Sequence, residues 1–304
     1  MSKRSILLTG ASGQLGSTFC SSFQNSKLQE NYRLFPMDSS AIDFLDENAI
    51  LHALKSCMPS VVVNCAAFTA VDAAEEHHDR AKKVNSDAVR VIARWAKVNM
   101  AKVIHISTDF VFDGAKKLPY LPSDKPNPLS VYGRTKLDGE KYILELMPDA
   151  GMIVRTSWLY SEYGTNFLKS MLRLMSEKDA IRVVGDQYGC PTSTRTLTNL
   201  LFEIIGKDDI SGVHHWNDGG NISWYEFAAE IQKQGLDIGL LERRIPIFPI
   251  ETSEYPAQAS RPLYSVLDCG LSNTRYGLES GNWKKELSRV IDAIVNLKKG
   301  VANG

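Results

Sequence analysis

The stretch that decides the fold is Ser5-Ile6-Leu7-Leu8-Thr9-Gly10-Ala11-Ser12-Gly13-Gln14-Leu15-Gly16, near the start of the chain. Ser5–Thr9 predicts a strand and Gln14–Gln24 a helix, and the glycines Gly10, Gly13 and Gly16 lie where one leads into the other. Glycine permits the tight turn and close backbone approach that a pyrophosphate requires, and the free N–H groups of the helix attract its charge. A glycine-rich turn without a ligand is the alternative, but the strand–loop–helix context favours a dinucleotide site.

The alternation of strands and helices continues through the first half of the chain. Runs that are apolar on both faces, such as Val61–Val63, are typical of parallel strands covered by helices on both sides of the sheet. We therefore predict an α/β, Rossmann-like doubly wound parallel sheet in residues 1–160. After residue 160 the segments become rich in Gly, Pro and Asn, which predicts a smaller C-terminal substrate-binding lobe in residues 161–304, with the chain free to cross back. The predicted elements are strands Tyr32–Met37, Val61–Asn64, Lys102–Ser107 and Met152–Thr156, and helices Glu47–Cys57, Ala74–Val98, Ser130–Leu146, Asn166–Ser176 and Ser223–Gln234.

Composition excludes several classes of partner. The 304 residues contain 35 Lys+Arg and 35 Asp+Glu, so the zero net charge argues against nucleic acid. No run of 18 apolar residues predicts a membrane span. The five cysteines are scattered without a CxxC pair, which favours reduced thiols and a cytoplasmic protein. The only adjacent histidines are two sequence-neighbour pairs whose side chains point apart, so no metal site is predicted.

An acidic residue follows the second predicted strand. Asp38 lies roughly 20 residues beyond Gly16, where a carboxylate can accept hydrogen bonds from an adenosine ribose. No Lys or Arg follows in Ser39-Ser40-Ala41, so the local chemistry favours NADH over NADPH, although Asp38 is also an ordinary turn residue. Ala66 and Ala67 follow the third strand, where small residues admit a flat cofactor or close helix packing.

A candidate catalytic group comes from two segments. Tyr132 and Lys136 are four residues apart and share a helix face. An ammonium beside a phenol is expected to lower the phenol's pKa and to let Tyr132 act as a general acid. Thr108 ends the preceding strand, where its hydroxyl can hydrogen-bond a substrate carbonyl.

These motifs resemble those of the dTDP-4-dehydrorhamnose reductase family of extended short-chain dehydrogenases/reductases. The resemblance covers nearly the whole chain and rests on Gly13-Gln14-Leu15-Gly16, Asn64-Cys65-Ala66-Ala67-Phe68-Thr69-Ala70-Val71-Asp72, Ser107-Thr108-Asp109-Phe110-Val111-Phe112-Asp113-Gly114, Val131-Tyr132-Gly133-Arg134-Thr135-Lys136-Leu137, Arg155-Thr156-Ser157-Trp158-Leu159-Tyr160, Gly185-Asp186-Gln187-Tyr188-Gly189-Cys190-Pro191-Thr192 and Arg261-Pro262-Leu263-Tyr264-Ser265-Val266-Leu267-Asp268.

The resemblance implies reduction of the C4 ketone of a dTDP-linked 6-deoxyhexose by NADPH or NADH in polysaccharide or deoxysugar synthesis. Tyr132 would donate the proton, Lys136 would assist it and Thr108 would anchor the carbonyl. The nucleotide sugar would contact Thr108, Asp109 and Trp158, although without the resemblance Trp158 is equally a core aromatic. Independently, the Arg261 guanidinium suits a pyrophosphate, with a surface loop as the alternative. The residues implied to contact the cofactor are Gly13, Gln14, Leu15, Asp38, Asp43, Phe44, Ala66, Ala67, Thr69, Tyr132 and Lys136.

Two other functions remain open from the sequence. A non-catalytic NADP-binding regulatory subunit, like that of methionine adenosyltransferase, resembles this branch, but intact Thr108, Tyr132 and Lys136 favour catalysis. A sugar-nucleotide epimerase or dehydratase with tightly held NAD is the third class. Phe110 stands where related dehydratases carry Glu, which argues against water elimination. The apolar stripe on Ala74–Val98 is explained by core packing or by a homodimer.

Overall fold

The computed structural model describes the backbone of residues 3–302 and the side chains of residues 3–297. The strands are β1 (Arg4–Thr9), β2 (Tyr32–Met37), β3 (Val61–Asn64), β4 (Lys102–Thr108), β5 (Gly151–Thr156), β6 (Leu159–Tyr160), β7 (Ile181–Val184), β8 (Tyr188–Gly189), β9 (Thr192–Ser193), β10 (Gly212–Trp216), β11 (Ile222–Ser223) and β12 (Ile247–Ile250). The α-helices are α1 (Gln14–Phe23), α2 (Leu28–Asn31), α3 (Glu47–Cys57), α4 (Val71–Glu76), α5 (His78–Lys82), α6 (Ala88–Val98), α7 (Val131–Leu146), α8 (Phe167–Glu177), α9 (Thr194–Ile205), α10 (Trp224–Asp237), α11 (Gly270–Tyr276) and α12 (Trp283–Ala302).

Six parallel strands form the central sheet in the order β10-β5-β4-β3-β1-β2. The chain runs from β1 to β2 on one side and then places β3 on the other side of β1. This reversal opens a crevice at the carboxyl ends of β1 and β3, where ligands bind in open α/β sheets. The Rossmann-like fold class is therefore confirmed, and the predicted glycine loop lies at that reversal.

Alternate residues of the strands point to opposite faces of the sheet and belong to two separate cores. Ile6 and Leu8 pack with α1 and α9 on one face of the sheet. Leu7 packs with α3 and α6 on the other face. Since both faces are covered, the strands must be apolar throughout, which is why the sequence pattern identifies them so well.

A third apolar core lies in the part of the chain after β5. It is built mainly from α8, α10 and α12, with Tyr160 and Phe227 completely buried among them. The same part of the chain returns to the first layer, since β10 pairs with β5 and α9 packs against α1. The division at residue 160 therefore remains a proposal with that return included.

The prediction of one continuous helix over Ala74–Val98 is wrong. The backbone leaves the helical region at His77, with φ −117° and ψ 50°, and α4 ends there. A π-helical turn over Lys83–Asp87 then joins α5 to α6. The apolar stripe of this region is used inside the chain, because Val91, Ile92 and Trp95 lie in the core shared with α3.

Within residues 3–302, no helix combines the length and the apolar character needed to cross a membrane.

Candidate active site

The glycine loop is shaped by close backbone contacts. Gly10 has φ +66°, and a Cβ there would lie 2.8 Å from the Ala66 nitrogen. A Cβ on Gly16 would lie 2.2 Å from the Gly10 carbonyl oxygen. Gly13 begins α1 without a side-chain cap, so the first N–H groups of the helix face the cavity uncapped. This is the arrangement that an anionic phosphate requires.

All but one of the predicted site residues line a single cavity of about 670 Å³. The cavity joins the glycine loop and Asp38 at one end to Tyr132 and Trp158 at the other. The predicted residues that line it are Gly10, Gly13, Gln14, Leu15, Gly16, Asp38, Asp43, Phe44, Ala66, Ala67, Thr69, Thr108, Asp109, Tyr132, Lys136 and Trp158.

The end beside β2 is acidic. The Oδ1 atom of Asp38 accepts hydrogen bonds from the Ser40 nitrogen at 2.9 Å and the Ser40 hydroxyl at 2.6 Å. These hydrogen bonds hold the pKa of Asp38 below its ordinary value, so the carboxylate is ionised. Asp43 Oδ1 accepts from the Leu45 nitrogen at 2.8 Å. Two carboxylates and no described cation at this end suit ribose hydroxyls better than a phosphate.

The wall after β3 is held by the π-helical turn. Asn85 accepts a hydrogen bond from the Phe68 nitrogen at 2.8 Å and donates to the Phe68 oxygen at 3.2 Å. It also donates to the Thr135 hydroxyl, 3.1 Å away on the helix that carries Tyr132. One completely buried amide therefore couples the Ala66–Thr69 wall to the first turns of α7.

Tyr132 lies in the first turn of α7. Ser130 caps this helix by accepting from the Gly133 nitrogen at 3.1 Å. The Tyr132 ring packs edge-on against Phe110, with ring centres 5.8 Å apart. Burial raises the pKa of Tyr132 to about 12, against a lowering effect of the Thr108 hydroxyl. The phenol is thus protonated at neutral pH, the state that a proton donor needs.

Lys136 is directed at the sheet beneath the cavity. Its Nζ donates to the Ile106 oxygen at 2.6 Å and lies 3.3 Å from Nε2 of His105. Burial lowers the pKa of Lys136 to about 8, while Glu140 and Cys65 act in the opposite direction. The expectation that Lys136 lowers the pKa of Tyr132 is therefore wrong for this structure: burial of the phenol dominates, and the ammonium is held by a main-chain carbonyl.

A buried polar chain continues from Lys136 across the strand ends. His105 Nδ1 lies 3.0 Å from the Asn64 amide nitrogen, and the Thr9 hydroxyl donates to the Asn64 oxygen at 2.6 Å. These three residues occupy directly paired positions of β1, β3 and β4. The parallel pairing of the strands therefore lines up three hydrogen-bonding side chains, and the last of them, His105, lies beside Lys136.

Thr108 ends β4, and Asp109 begins the short 3-10 turn that follows it. The Thr108 hydroxyl donates to Oδ1 of Asp109 at 3.1 Å and accepts from the Phe110 nitrogen at 3.1 Å. The Ser265 hydroxyl donates to Oδ2 of Asp109 at 2.6 Å. Burial raises the pKa of Asp109 to about 6, while these hydroxyls lower it. Asp109 thus orients the Thr108 hydroxyl that was predicted to meet the substrate.

Trp158 occupies a strained backbone conformation at the far end of the cavity. Its φ is +47°, a region that costs a non-glycine residue on the order of 1 kcal/mol or more. Its ring stacks on Trp224 at 3.5 Å and 10°, and a Cβ on Gly189 would lie only 2.6 Å from it. Such strain recurs at ligand-contacting positions, and Trp158 both lines the cavity and packs against the third core, so its contact with the nucleotide sugar stays a prediction.

Arg261 is not brought to the cavity. Its guanidinium pairs with the Asp72 carboxylate, with Nη2 2.6 Å from Oδ2, and also donates to the Ala259 oxygen. The arginine that lines the cavity is Arg80, whose guanidinium carbon lies 6.0 Å from the Phe68 ring centre. Nothing in the sequence pattern singled out Arg80, which is an exposed residue of the short helix α5 that follows the break at His77.

Comparisons with known proteins agree on one family. The family model described as the RmlD substrate binding domain matches residues 4–296. The chain is 34% identical over 290 residues to a dTDP-4-dehydrorhamnose reductase of Aggregatibacter actinomycetemcomitans, covering 94% of this chain and 97% of the relative. It is 34% identical over 296 residues to one from Sinorhizobium fredii, covering 95% and 97%.

A solved structure agrees in fold along the whole chain. The dTDP-4-dehydrorhamnose reductase of Bacillus anthracis, crystallised in complex with NADP, superposes with a TM-score of 0.88 at 33% identity. The superposition covers 96% of this chain and 100% of that one.

Proposed function

The chain belongs to the dTDP-4-dehydrorhamnose reductase family, and on that premise we propose that it reduces the C4 ketone of a dTDP-4-keto-6-deoxyhexose with NADPH or NADH. The most direct candidate substrate is dTDP-4-dehydrorhamnose, which would give dTDP-L-rhamnose for polysaccharide synthesis. Such a reaction requires a dinucleotide site and a proton donor within one cavity.

One observation carries this proposal. The uncapped N-terminus of α1 at Gly13 and the protonated phenol of Tyr132 line the same cavity. A Tyr132 side chain directed away from the glycine loop would have removed the support for the chemistry.

The residues at the first end fit a nicotinamide dinucleotide. Gly10, Gly13 and Gly16 leave no side chain between the backbone and the cavity, and the α1 N–H groups would hold the diphosphate. Both hydrogen bonds from Ser40 reach Oδ1 of Asp38, so Oδ2 would accept hydrogen bonds from the hydroxyls of the adenosine ribose. When bound, the reduced dinucleotide supplies the hydride for the carbonyl carbon.

Each of the predicted catalytic residues has a separate role at the carbonyl oxygen. The Tyr132 hydroxyl gives its proton to the carbonyl oxygen as that oxygen becomes an alkoxide. The Thr108 hydroxyl, whose proton points to Asp109 in this structure, would turn that proton to the same oxygen as negative charge develops there. Lys136, positively charged at neutral pH and held by the Ile106 carbonyl, stabilises negative charge that develops beside it.

The substrate end of the cavity is assigned to the nucleotide sugar. The proposed contacts are Thr108, Asp109 and Trp158. Arg261 is not proposed to bind the pyrophosphate directly, because its guanidinium is paired with the Asp72 carboxylate. Residues 1–160 would thus bind the cofactor and residues 161–304 mainly the substrate, apart from the return through α9 and β10.

Two features support reduction over the alternatives. Phe110 packs its ring against Tyr132, so no carboxylate occupies the position that a dehydratase would use. A purely regulatory subunit would not need Thr108, Tyr132 and Lys136 together in one cavity. We propose the cytoplasm as the compartment, since all five cysteines are unpaired.

The proposal is tested by mixing the protein with NADPH or NADH and a dTDP-4-keto-6-deoxyhexose. We expect the absorbance of the reduced nicotinamide to fall in proportion to the sugar nucleotide added. No consumption with any 4-keto sugar nucleotide would contradict catalysis and favour the regulatory alternative. Turnover without added cofactor by protein purified with NAD would instead favour the epimerase.

A further inference from the structure

The segment 251–268 passes from the C-terminal lobe to the cofactor-binding part of the chain, and we call it the strap. Its main chain pairs on two sides. The Tyr188 nitrogen donates to the Leu263 oxygen and the Ser265 nitrogen to the Tyr188 oxygen, both at 2.8 Å. The Tyr120 nitrogen donates to the Val266 oxygen, again at 2.8 Å. These main-chain hydrogen bonds therefore fix the position of the strap between residues 263 and 266.

The middle of the strap wraps around the carboxylate of Asp72 on α4. Asp72 accepts from the nitrogens of Gln258 at 3.1 Å and Ala259 at 3.0 Å. It also accepts hydrogen bonds from both terminal nitrogens of Arg261, at 3.2 and 2.6 Å. A carboxylate that accepts a bidentate guanidinium and two main-chain N–H groups is a strong, directional anchor. Arg261 is accordingly the largest cause of the lowered pKa of Asp72.

The second half of the strap reaches the active site. Ser265 follows Arg261 by four positions, and its hydroxyl donates to Oδ2 of Asp109 at 2.6 Å. Both side chains are buried, at 2% and 3% exposure. The other oxygen of Asp109 accepts from Thr108. A continuous set of contacts thus leads from Asp72 to the hydroxyl assigned to the substrate carbonyl.

We infer that the Asp72–Arg261 pair is a clasp that holds the strap in register, so that Ser265 orients Asp109 and, through it, Thr108 toward the nucleotide sugar. No described residue of the strap lines the cavity, so Asp72, Arg261 and Ser265 are positioning residues. The glycine loop and Asp38 make no hydrogen bond to the strap among the described residues, so we expect the main effect at the substrate end. The inference rests on the proposed function for its kinetic consequence but not for its structural one.

The kinetic arm of the test separates substrate from cofactor. Ser265→Ala removes one hydroxyl and leaves the clasp intact, and Arg261→Gln breaks the clasp. For both variants we expect kcat/KM for the dTDP-4-keto sugar to fall roughly tenfold or more, since small misplacements of reactive groups are costly. The Kd for NADH, measured by fluorescence, should be unchanged. Arg261→Lys should recover part of the loss.

The structural arm does not depend on activity. Hydrogen exchange followed by mass spectrometry should show faster exchange across 251–268 in Asp72→Asn. Arg243→Ala is the matched control, since it removes a salt bridge to Asp179 of 2.6 Å outside the strap and should change neither readout. If the wild type reduces no sugar nucleotide, the exchange arm and the Kd of dTDP still test the clasp.

Two results would overturn the inference. One is unchanged exchange of the strap in Asp72→Asn. The other is a wild-type kcat/KM for Ser265→Ala, which would show that Asp109 needs no orienting partner.

Discussion

The Nζ of Lys136 donates to the main-chain oxygen of Ile106 across 2.6 Å. Because this carbonyl belongs to β4, the lysine is anchored from the sheet side and its orientation does not depend on Tyr132. The two residues expected from the sequence to be a phenol and its activator are therefore held by separate contacts in this structure.

Tyr132→Phe should retain cofactor binding and lose turnover by about 10²–10⁴-fold, the usual contribution of general acid catalysis. The Kd for NADH should remain near that of the wild type, because the ring and its edge-on packing against Phe110 persist. Tyr142→Phe, on the same helix but outside the cavity, is the matched control and should keep its activity. Near-normal turnover of Tyr132→Phe would refute the proton-donor role.

The pH profile of kcat/KM should be bell-shaped. Asp109, with a pKa of about 6, must be ionised to orient Thr108, so activity falls as the pH drops through that value. Lys136, with a pKa of about 8, loses its charge as the pH rises through that value, so activity falls again. Lys141→Gln, an exposed lysine of the same helix, should leave the profile unchanged. A flat profile between pH 5 and 9, roughly one unit beyond each limb, would contradict both assignments.

Asp38→Ala should weaken NADH binding by roughly ten- to hundredfold, because hydrogen bonds to a charged group contribute about 1.5–3 kcal/mol. NADPH should bind the variant at least as well as it binds the wild type, since a carboxylate beside its 2′-phosphate is removed. The ratio of the two Kd values is therefore the informative measurement. An equal loss for both cofactors would mean that Asp38 is only a turn residue.

Asn85→Ala should lower the free energy of unfolding by about 2–3 kcal/mol, because it removes three hydrogen bonds, two to the partly buried main chain of Phe68 and one to the Thr135 hydroxyl. It should also weaken the binding of NADH, since the Ala66–Thr69 wall loses its support. Asn99→Ala removes a single hydrogen bond, to the Trp95 oxygen at 2.8 Å, and should cost about 1 kcal/mol or less. Equal effects of the two substitutions in urea unfolding would contradict the bracing role of Asn85.

Much of the fold could be predicted because its signals are local. Val61–Asn64 and Tyr32–Met37 are bounded as predicted. Val61–Asn64 is buried along its whole length, which a short apolar run indicates, whereas Tyr32–Met37 is an edge strand in which only Tyr32 is buried. The break at His77 carries no proline or glycine that would mark it in the sequence, and Asn85 in the π-helical turn beyond it is placed by tertiary contacts to Phe68 and Thr135. Tertiary contacts of this kind have no period in the sequence.

The site was predictable where motifs carry their own chemistry. Gly13, Tyr132 and Lys136 fall in one cavity because the strand ends of a parallel sheet meet at one edge. The partner of Arg261 could not be foreseen, since Asp72 lies 189 positions away. The raised pKa of Tyr132 likewise depends on burial, which a motif does not report.

The most direct test of the central claim is the fate of deuterium from NADH or NADPH labelled at the transferable position of the nicotinamide. We expect mass spectrometry and NMR to find the label at C4 of the dTDP-6-deoxyhexose formed by the wild type. Product formed without the label, or with the label at another carbon, would contradict that claim.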